Sequence, residues 1–322
     1  MLSVETAGSA QTRAGPRGQP VRAACSITTC AARHEPVGRA WLYARLVARL
    51  VASVLVRNED VFIERAIRNV AAVCDKIHVV DQESTDRTGE ILRSLARELD
   101  HLDVVRSSDA SDSHRALEEY AGTETWVLGV DGDELYDQRG LVELKAQLLG
   151  GAHADVFRLK GHVLNSDELD LEAGTASGYL APPSRPVTKL FNMAALESWT
   201  GCLERLHGGE PMFRSGYDWD SMRYLSEERD WDADPLRLLH VCFLRRSSVE
   251  DHEPGRGRPS LWETGEFRRG LGGLLKKHRY LRHVDPRIRE YNKQGRNWKD
   301  EWYRRGSRVT IDATPFIGVR PL

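Results

Sequence analysis

The feature that most restricts the fold is an alternation of short apolar runs with longer amphipathic segments between Ser53 and Val130. Apolar runs predict strands at 53–56, 77–80, 104–105 and 125–130. Helical periodicity between them predicts helices at 61–73, 88–99 and 113–120. Strands that alternate with helices form parallel sheets through right-handed crossovers. The sequence therefore predicts an α/β fold with a mostly parallel central sheet and helices on both of its faces.

The last of these apolar runs ends directly in the acidic sequence Asp131-Gly132-Asp133-Glu134. In open α/β sheets, ligands bind outside the carboxyl ends of the strands. Carboxylate oxygens suit a hard cation such as Mn²⁺ or Mg²⁺, which completes its coordination shell with water and substrate phosphates. The motif therefore indicates a divalent cation with a nucleoside diphosphate, although a solvated acidic turn would explain it equally well.

A second motif closes the strand at 77–80 and runs from Asp81 to Thr88. Its Ser84 or Thr85 can cap the following helix. A carboxylate at a strand end, here Asp81, can accept hydrogen bonds from a base or a ribose. Taken alone, the motif is better explained as a capped turn between a strand and a helix.

Three segments, 53–59, 80–88 and 126–134, resemble family 2 glycosyltransferases in their order and spacing. The resemblance implies the GT-A fold, a nucleotide-diphospho-sugar transferase fold with a Rossmann-like sheet. It further implies that Asp81 contacts the nucleoside, Asp131 the ribose or a metal-bound water, and Asp133 the metal directly. Arg57 and Glu59 would line the nucleotide pocket.

A weaker similarity covers 188–192 and 199–204, where the family carries an acid on the acceptor side. It makes Glu204 the predicted catalytic base. The alternatives left open for this role are Asp218, Asp220 and Glu227. Several enzymes of the fold place a late histidine on the metal or the diphosphate, and His240 stands in that part of this chain. A hydrogen-bonded histidine at a strand end would explain His240 equally well.

The function implied by the resemblance is an inverting, metal-dependent transfer of sugar from a UDP-, GDP- or dTDP-sugar to an unidentified acceptor. One rival is a non-catalytic nucleotide-sugar-binding protein on the same domain. A second rival is a nucleotidyltransferase, which should carry a glycine-rich basic phosphate loop after its first strand. The sequence there is Arg57-Asn58-Glu59-Asp60 instead.

Composition divides the chain into four predicted regions. Residues 1–37 are poor in large apolar residues and are predicted to be a disordered leader. Residues 38–51 are predicted to form an amphipathic helix, and 52–250 the GT-A domain, with a nucleotide-sugar half at 52–137 and an acceptor half at 138–250. Residues 251–322 are predicted to be a basic helical extension.

Charge and cysteine content bound the partners and the compartment. A formal net charge of -2 gives the chain no overall attraction to nucleic acid, so no nucleic-acid partner is expected. Five scattered cysteines suit a reducing cytoplasm, and no apolar run reaches the roughly 20 residues that span a membrane. The basic segments leave peripheral contact with an anionic membrane surface open.

Overall fold

The computed structural model describes residues 49–182, 188–249 and 298–318, and its centre is a seven-stranded sheet. In spatial order the strands are β12 (Met222–Tyr224), β6 (Arg158–Lys160), β9 (Thr188–Asn192), β4 (Thr125–Asp131), β1 (Arg49–Val56), β2 (Lys76–Asp81) and β3 (Leu102–Arg106). Strands β3, β2, β1 and β4 are mutually parallel, as is the β6–β12 pair, whereas β9 is antiparallel to both of its neighbours. The predicted α/β class with a mostly parallel sheet is confirmed.

The two faces of this sheet are covered differently. Helices α1 (Ile63–Ala71), α2 (Thr88–Glu98) and α4 (Gln138–Leu149) share one core with alternate residues of β1, including Leu50 and Val54. On the other face, Ser53 of β1 donates a hydrogen bond to the short helix α3 (Asp112–Arg115), and α3 packs against the hairpin of β10 (Leu196–Glu204) and β11 (His207–Phe213). Long helices thus cover one face, and a short helix with a hairpin covers the other.

A second, five-stranded sheet stands beside the first. In spatial order its strands are β14 (Arg308–Asp312), β8 (Thr175–Ala181), β7 (His162–Asp170), β13 (Arg237–His240) and β5 (Glu134–Tyr136). Strand β5 begins just after β4 ends, so Asp131-Gly132-Asp133-Glu134 lies where the chain passes from one sheet to the other. The remaining helices are α5 (Leu225–Glu228), α6 (Trp298–Trp302) and α7 (Thr314–Ile317), with 3-10 turns at Glu118–Tyr120 and Met193–Ala195.

Two predicted boundaries differ from the structure. Residues 49–51, predicted to end an amphipathic helix, belong to β1, where Val51 pairs with Lys76 on one side and Val127 on the other. Leu50 and Val51 are buried in this sheet, so strand pairing outweighs their helix propensity. The predicted helix at 113–120 is divided into α3 and the 3-10 turn that follows it.

The C-terminal extension was predicted to be helical, but its described part, 298–318, contains strand β14 between two short helices. Strand β14 pairs with β8, and Phe316 of α7 is buried against the second sheet. This part of the chain therefore completes the domain that was predicted to end at 250. The predicted leader at 1–37, the first part of the predicted helix at 38–48 and the stretch 250–297 lie outside the described residues.

The described part of the chain contains no helix with the length and apolar character needed to cross a membrane. Cys74, Cys202 and Cys242 are free, buried thiols. Burial raises the pKa of Cys74 and of Cys202 to about 12, so neither forms a reactive thiolate near neutral pH.

Candidate active site

The loops that follow β1 and β2 are joined by hydrogen bonds. Asn58 has a left-handed backbone with φ of 53°, which asparagine tolerates better than most residues. Its N–H donates to Ser84 Oγ at 3.0 Å, and its side-chain oxygen accepts from the N–H of Thr85 at 2.7 Å. The N–H of Glu59 donates to Thr88 Oγ1 at 2.8 Å. These bonds bring Glu59 and the end of β2 to one edge of the sheet.

Asp81 ends β2 and is 2% exposed. One carboxylate oxygen accepts from the N–H of Ser84 at 2.9 Å, and the other lies 3.4 Å from Arg106 Nη1 at the end of β3. A Cβ at Gly89 would stand 3.1 Å from this second oxygen, so glycine lets helix α2 begin close to the carboxylate. The predicted contact of Asp81 with a nucleoside stays a prediction.

Asp131 ends β4 and is held by two cations of the first sheet and its hairpin. Its oxygens lie 2.9 Å from Lys189 Nζ and 2.5 Å from Arg205 Nη1. Lys189 also lies 2.8 Å from Glu134, which accepts a hydrogen bond from the backbone N–H of Asp131 at 3.0 Å. Burial opposes ionisation of Asp131, but Arg205 and Lys189 outweigh it and hold the pKa of this carboxyl well below its usual range.

Asp133 faces a different pair of cations. It is 1% exposed, forms an ion pair with Arg246, and lies 3.5 Å from Nε2 of His240 on β13. Burial opposes ionisation here too, and Arg246 and His240 reverse its effect and lower the pKa of Asp133. A Cβ at Gly132 would stand 3.0 Å from Glu59, so glycine allows the acidic turn to pack against the loop after β1. The two aspartates are therefore close in the chain but form ion pairs with different cationic side chains.

Asp133 and His240 suit a divalent cation. Nδ1 of His240 lies 3.1 Å from the side-chain oxygen of Asn165, and donation to that oxygen would leave Nε2 as the nitrogen that binds a cation. Within the described ranges, no group of three or more histidine, cysteine and acidic side chains could hold a metal. The protein would thus supply two ligands, which leaves coordination positions for phosphate oxygens and water, as Mn²⁺ and Mg²⁺ accept.

Glu204 ends β10, immediately before the turn that joins the hairpin. Its side chain is 27% exposed and lies 3.8 Å from His207 Nδ1 across the turn. The side chain of the next residue, Arg205, reaches the Val130 carbonyl and Asp131 at the end of β4. The role of Glu204 as the base stays a prediction.

The alternative acids have a more local setting. The Asp218 carboxylate accepts from the N–H groups of Asp220 and Ser221 and from the Ser221 hydroxyl, so it shapes its own exposed turn. Asp220 and Glu227 are exposed. Among the described residues, no ion pair that joins Asp131 or Asp133 to a neighbour involves any of these three acids or a partner of theirs.

The aromatic residues near these acids divide into packing and exposed positions. Trp199 is fully buried among Phe157 and Phe191, and Trp231 stacks on Phe316 at 5.7 Å, so both are core residues. Trp219 is 38% exposed and could present a ring edge to a sugar.

Four charged residues were not predicted to belong to the site: Glu134, Lys189, Arg205 and Arg246. Lys189 precedes the Leu190-Phe191 pair that resembles the family. The resemblance therefore pointed to this segment, but it did not indicate that Lys189 pairs with Asp131. Arg246 stands 113 residues from Asp133 in the chain, and nothing in the local sequence indicates the contact. Arg57 directly follows β1, and its predicted place in a nucleotide pocket stays a prediction.

The solved structures that resemble this chain include two glycosyltransferases, each of which overlaps with it over a limited part of its length. The mannosyltransferase PcManGT from Pyrobaculum calidifontis, in complex with GDP-Man and Mn²⁺, is 22% identical, covers 37% of this chain and 36% of its own, and has a TM-score of 0.29. Glucosyl-3-phosphoglycerate synthase from Mycobacterium tuberculosis, in complex with Mn²⁺, UDP and glucosyl-3-phosphoglycerate, is 24% identical, covers 41% and 50%, and has a TM-score of 0.27. At these scores we draw no conclusion from the superpositions.

The sequence relatives match less than a third of the chain. An uncharacterized glycosyltransferase of Rickettsia bellii is 34% identical over 89 residues, which is 28% of this chain and 29% of the relative. One from Rickettsia typhi is 32% identical over 85 residues, 26% of this chain and 28% of the relative. The chain thus spans less than a third of the length of the relatives that it matches. The model described as Glycosyl transferase family 2 matches residues 53–160, which include β1, β2, β4 and the acidic turn. The similarity to family 2 glycosyltransferases therefore extends over residues 53–160.

Proposed function

We propose that the chain transfers a sugar from a nucleoside-diphosphate donor to an acceptor, with Mn²⁺ or Mg²⁺ and with inversion at the anomeric carbon. The observation that carries the proposal is the convergence of four acids, Glu59, Asp81, Asp131 and Asp133, at the carboxyl edge of β1, β2 and β4. Ligands of open α/β sheets bind at this edge. The family match of residues 53–160 supports the same class of reaction.

The donor would lie across this edge, with its nucleoside towards Asp81 and its diphosphate towards Asp133. Arg57 and Glu59 would line the nucleotide pocket, and Asp131 would meet the ribose. Asp133 and His240 would hold the cation, which when bound would neutralise the charge of the departing diphosphate. The two solved structures contain GDP-Man with Mn²⁺ and UDP with Mn²⁺, and UDP- and GDP-sugars are the first donors to examine.

Glu204 would act as the general base in the transfer step. The acceptor oxygen attacks the anomeric carbon from the face opposite the diphosphate, and its proton passes to the Glu204 carboxylate. The bond from the anomeric carbon to the phosphate oxygen breaks as the new glycosidic bond forms, and the nucleoside diphosphate leaves as an anion. General-base assistance of this kind contributes about 10²- to 10⁴-fold to the rate.

A thermal-stability screen tests the donor half of the proposal. The full chain is heated with UDP-glucose, GDP-mannose or dTDP-glucose, each with Mn²⁺ and with a chelator. A donor at 100 times its dissociation constant should add about 2.7 kcal/mol to the free energy of unfolding. The stabilisation should require Mn²⁺ and should be absent from the Asp133→Ala variant. Stabilisation by no donor, or equal stabilisation of Asp133→Ala, would contradict the donor site.

The stereochemistry is tested with the donor that stabilises the chain. Water serves as the acceptor, and proton NMR records the anomer of the released sugar before mutarotation. Inversion predicts that an α-linked donor first releases the β-sugar. Initial release of the α-sugar would contradict inversion while leaving the donor site intact.

A further inference from the structure

The peptide that follows Glu204 has an unfavourable conformation. Arg205 is not a glycine, yet its φ is 32°, in the left-handed region that side chains rarely adopt. Such a conformation persists where surrounding groups hold it, and it is concentrated at functional sites. The Arg205 guanidinium reaches across to the carbonyl of Val130 at 2.9 Å and to Asp131. The strained turn therefore connects the predicted base with the end of β4.

Helix α3 holds this peptide at both of its polar groups. The N–H of Arg205 donates to Ser113 Oγ at 2.8 Å, and the carbonyl of Arg205 accepts from Nδ1 of His114. Nε2 of His114 lies 2.8 Å from a second carbonyl of the same hairpin, that of Trp199. The ring is 1% exposed and meets the Trp199 indole edge-on, with centroids 5.2 Å apart. His114 thus joins the two ends of the β10 segment that leads to Glu204.

Both partners of the His114 ring are carbonyl oxygens, which accept hydrogen bonds and cannot donate them. The ring nitrogens of His114 can donate to these carbonyls, so the ring ties the Arg205 peptide to Trp199 of the same hairpin. Because the ring is buried beside the Trp199 indole, it holds the two carbonyls at a fixed separation.

We propose that His114 is a positioning residue that fixes the Arg205 peptide and thereby aims the Glu204 carboxylate at the acceptor. The role rests on the proposed function of Glu204 as the base. Ser113 assists from the same helix by accepting the Arg205 N–H. Arg205 pairs with Asp131, but Lys189 holds the other oxygen of that carboxylate. Among the described residues, no hydrogen bond or ion pair joins His114 or Arg205 to Asp81, Asp133 or His240. Loss of His114 should therefore leave donor affinity nearly unchanged and slow the chemical step.

The test uses His114→Phe, which keeps a ring beside Trp199 and removes both ring nitrogens. Affinity for UDP or GDP with Mn²⁺ is measured by calorimetry, and the probe of chemistry is hydrolysis of UDP-glucose or GDP-mannose by water. Nucleotide affinity and KM should stay within threefold of the wild-type values, while kcat falls about tenfold or more, as for loss of general-base assistance. The matched control is His162→Phe, because His162 is a buried histidine paired with Asp234, away from the hairpin. It should lower stability without changing kcat.

A double-mutant cycle shows whether His114 acts through Glu204. If it does, His114→Phe combined with Glu204→Gln should be no slower than Glu204→Gln alone within about twofold, because one function is removed twice. If the losses in kcat of the two single variants multiply in the double variant, the positioning role is overturned. A wild-type kcat in His114→Phe would overturn it as well. A wild-type rate in Glu204→Gln would remove the base assignment and the positioning role together, whereas a slow Glu204→Gln with a fast His114→Phe would remove only the latter.

Should His114→Phe fail to fold, Ser113→Ala removes the other hold on Arg205 and should give the same split, with kcat lowered and KM retained. An unchanged kcat in Ser113→Ala would count against the proposal.

Discussion

Buried ion pairs occur in two regions of this molecule and are built differently. In the first region, which we call the capping pairs, Asp137 pairs with Arg237 and Asp234 with His162. Asp137 also accepts from the N–H groups of Arg139 and Gly140. Asp234 also accepts from the N–H groups of Leu236 and His162. These carboxylates therefore accept hydrogen bonds from the backbone as well as pairing with a cationic side chain or a histidine.

The second region, the strand-end cluster, consists of Asp131, Asp133, Glu134, Lys189, Arg205, His240 and Arg246. In the parts of the chain that the structure describes, the side-chain oxygens of Asp131 and Asp133 contact cationic side chains and no backbone N–H. A side-chain cation can rotate away, whereas a backbone N–H in a helix cannot. The comparison teaches that burial alone does not mark a site: a buried carboxylate with exchangeable partners can accept a ligand, and one fixed by the backbone stabilises the fold.

The largest expected effect separates the two regions by nucleotide binding. Asp133→Asn should weaken the Mn²⁺-dependent affinity for UDP or GDP about 100-fold or more, since it removes a charged ligand where diphosphate charge must be neutralised. Asp234→Asn, of equal size change, should leave that affinity unchanged. Calorimetry of both folded variants measures the difference. Equal affinities would show that the strand-end cluster is not the cation site.

Folding stability should depend more on the capping pairs than nucleotide binding does. Asp137→Ala leaves Arg237 without its buried partner and removes the side-chain cap of helix α4. Breaking a buried pair by removing one partner typically costs about 3–5 kcal/mol, and we expect a loss of about 3 kcal/mol in urea unfolding. Nucleotide affinity should be retained. A loss of affinity with unchanged stability would reverse the assignment of this pair.

If side-chain partners in the strand-end cluster can be exchanged, Arg246 and the metal should compete for Asp133. Arg246→Gln should raise the affinity for Mn²⁺ in the absence of nucleotide by about fivefold, the lower end of usual coupling between ligands, because Asp133 loses its competing cation. Arg68→Gln is the control, since Arg68 forms exposed pairs with Glu64 and Glu98. Weaker Mn²⁺ binding in Arg246→Gln would show that Arg246 supports the cation site rather than competing for it.

The smallest effect concerns acid stability. Arg205 and Lys189 lower the pKa of Asp131 against the opposing effect of burial, so the ionised carboxylate stabilises the folded state above its unfolded pKa of about 4. This contribution is lost as the pH falls through the lower pKa of the folded state. The free energy of unfolding of Asp131→Asn should therefore depend less on pH below about 4 than that of the wild type. Parallel curves in urea titrations between pH 2 and 5 would contradict the pairing.

Much of the parallel half of the fold follows from local sequence. The apolar runs at 77–80 and 125–130 lie within β2 and β4, and the periodic segment at 88–99 is helix α2. These segments were predictable because burial on both faces of a parallel strand leaves an uninterrupted apolar run. The start of β1 at Arg49 was missed, because Leu50 and Val51 suit either a helix or a strand and the pairing with β2 and β4 decides between them.

The candidate site divides in the same way. The acids at strand ends, Asp81, Asp131 and Asp133, were predictable because each follows an apolar run directly. Their partners were not, because a cation such as Arg246 or Arg205 is placed by contacts between distant segments. The hold of His114 on the Arg205 peptide likewise joins residues 91 positions apart.

By itself, the sequence determined where strands end in acids, because hydrophobic periodicity and turn chemistry act over neighbouring residues. The tertiary structure alone decided which acid meets which cation, since those contacts depend on the crossing from the first sheet to the second at Gly132 and on the docking of the hairpin against α3. The physical reason is range: secondary structure is set by interactions within a few residues, whereas the charge of a buried site is balanced only after chain segments far apart in sequence have packed together.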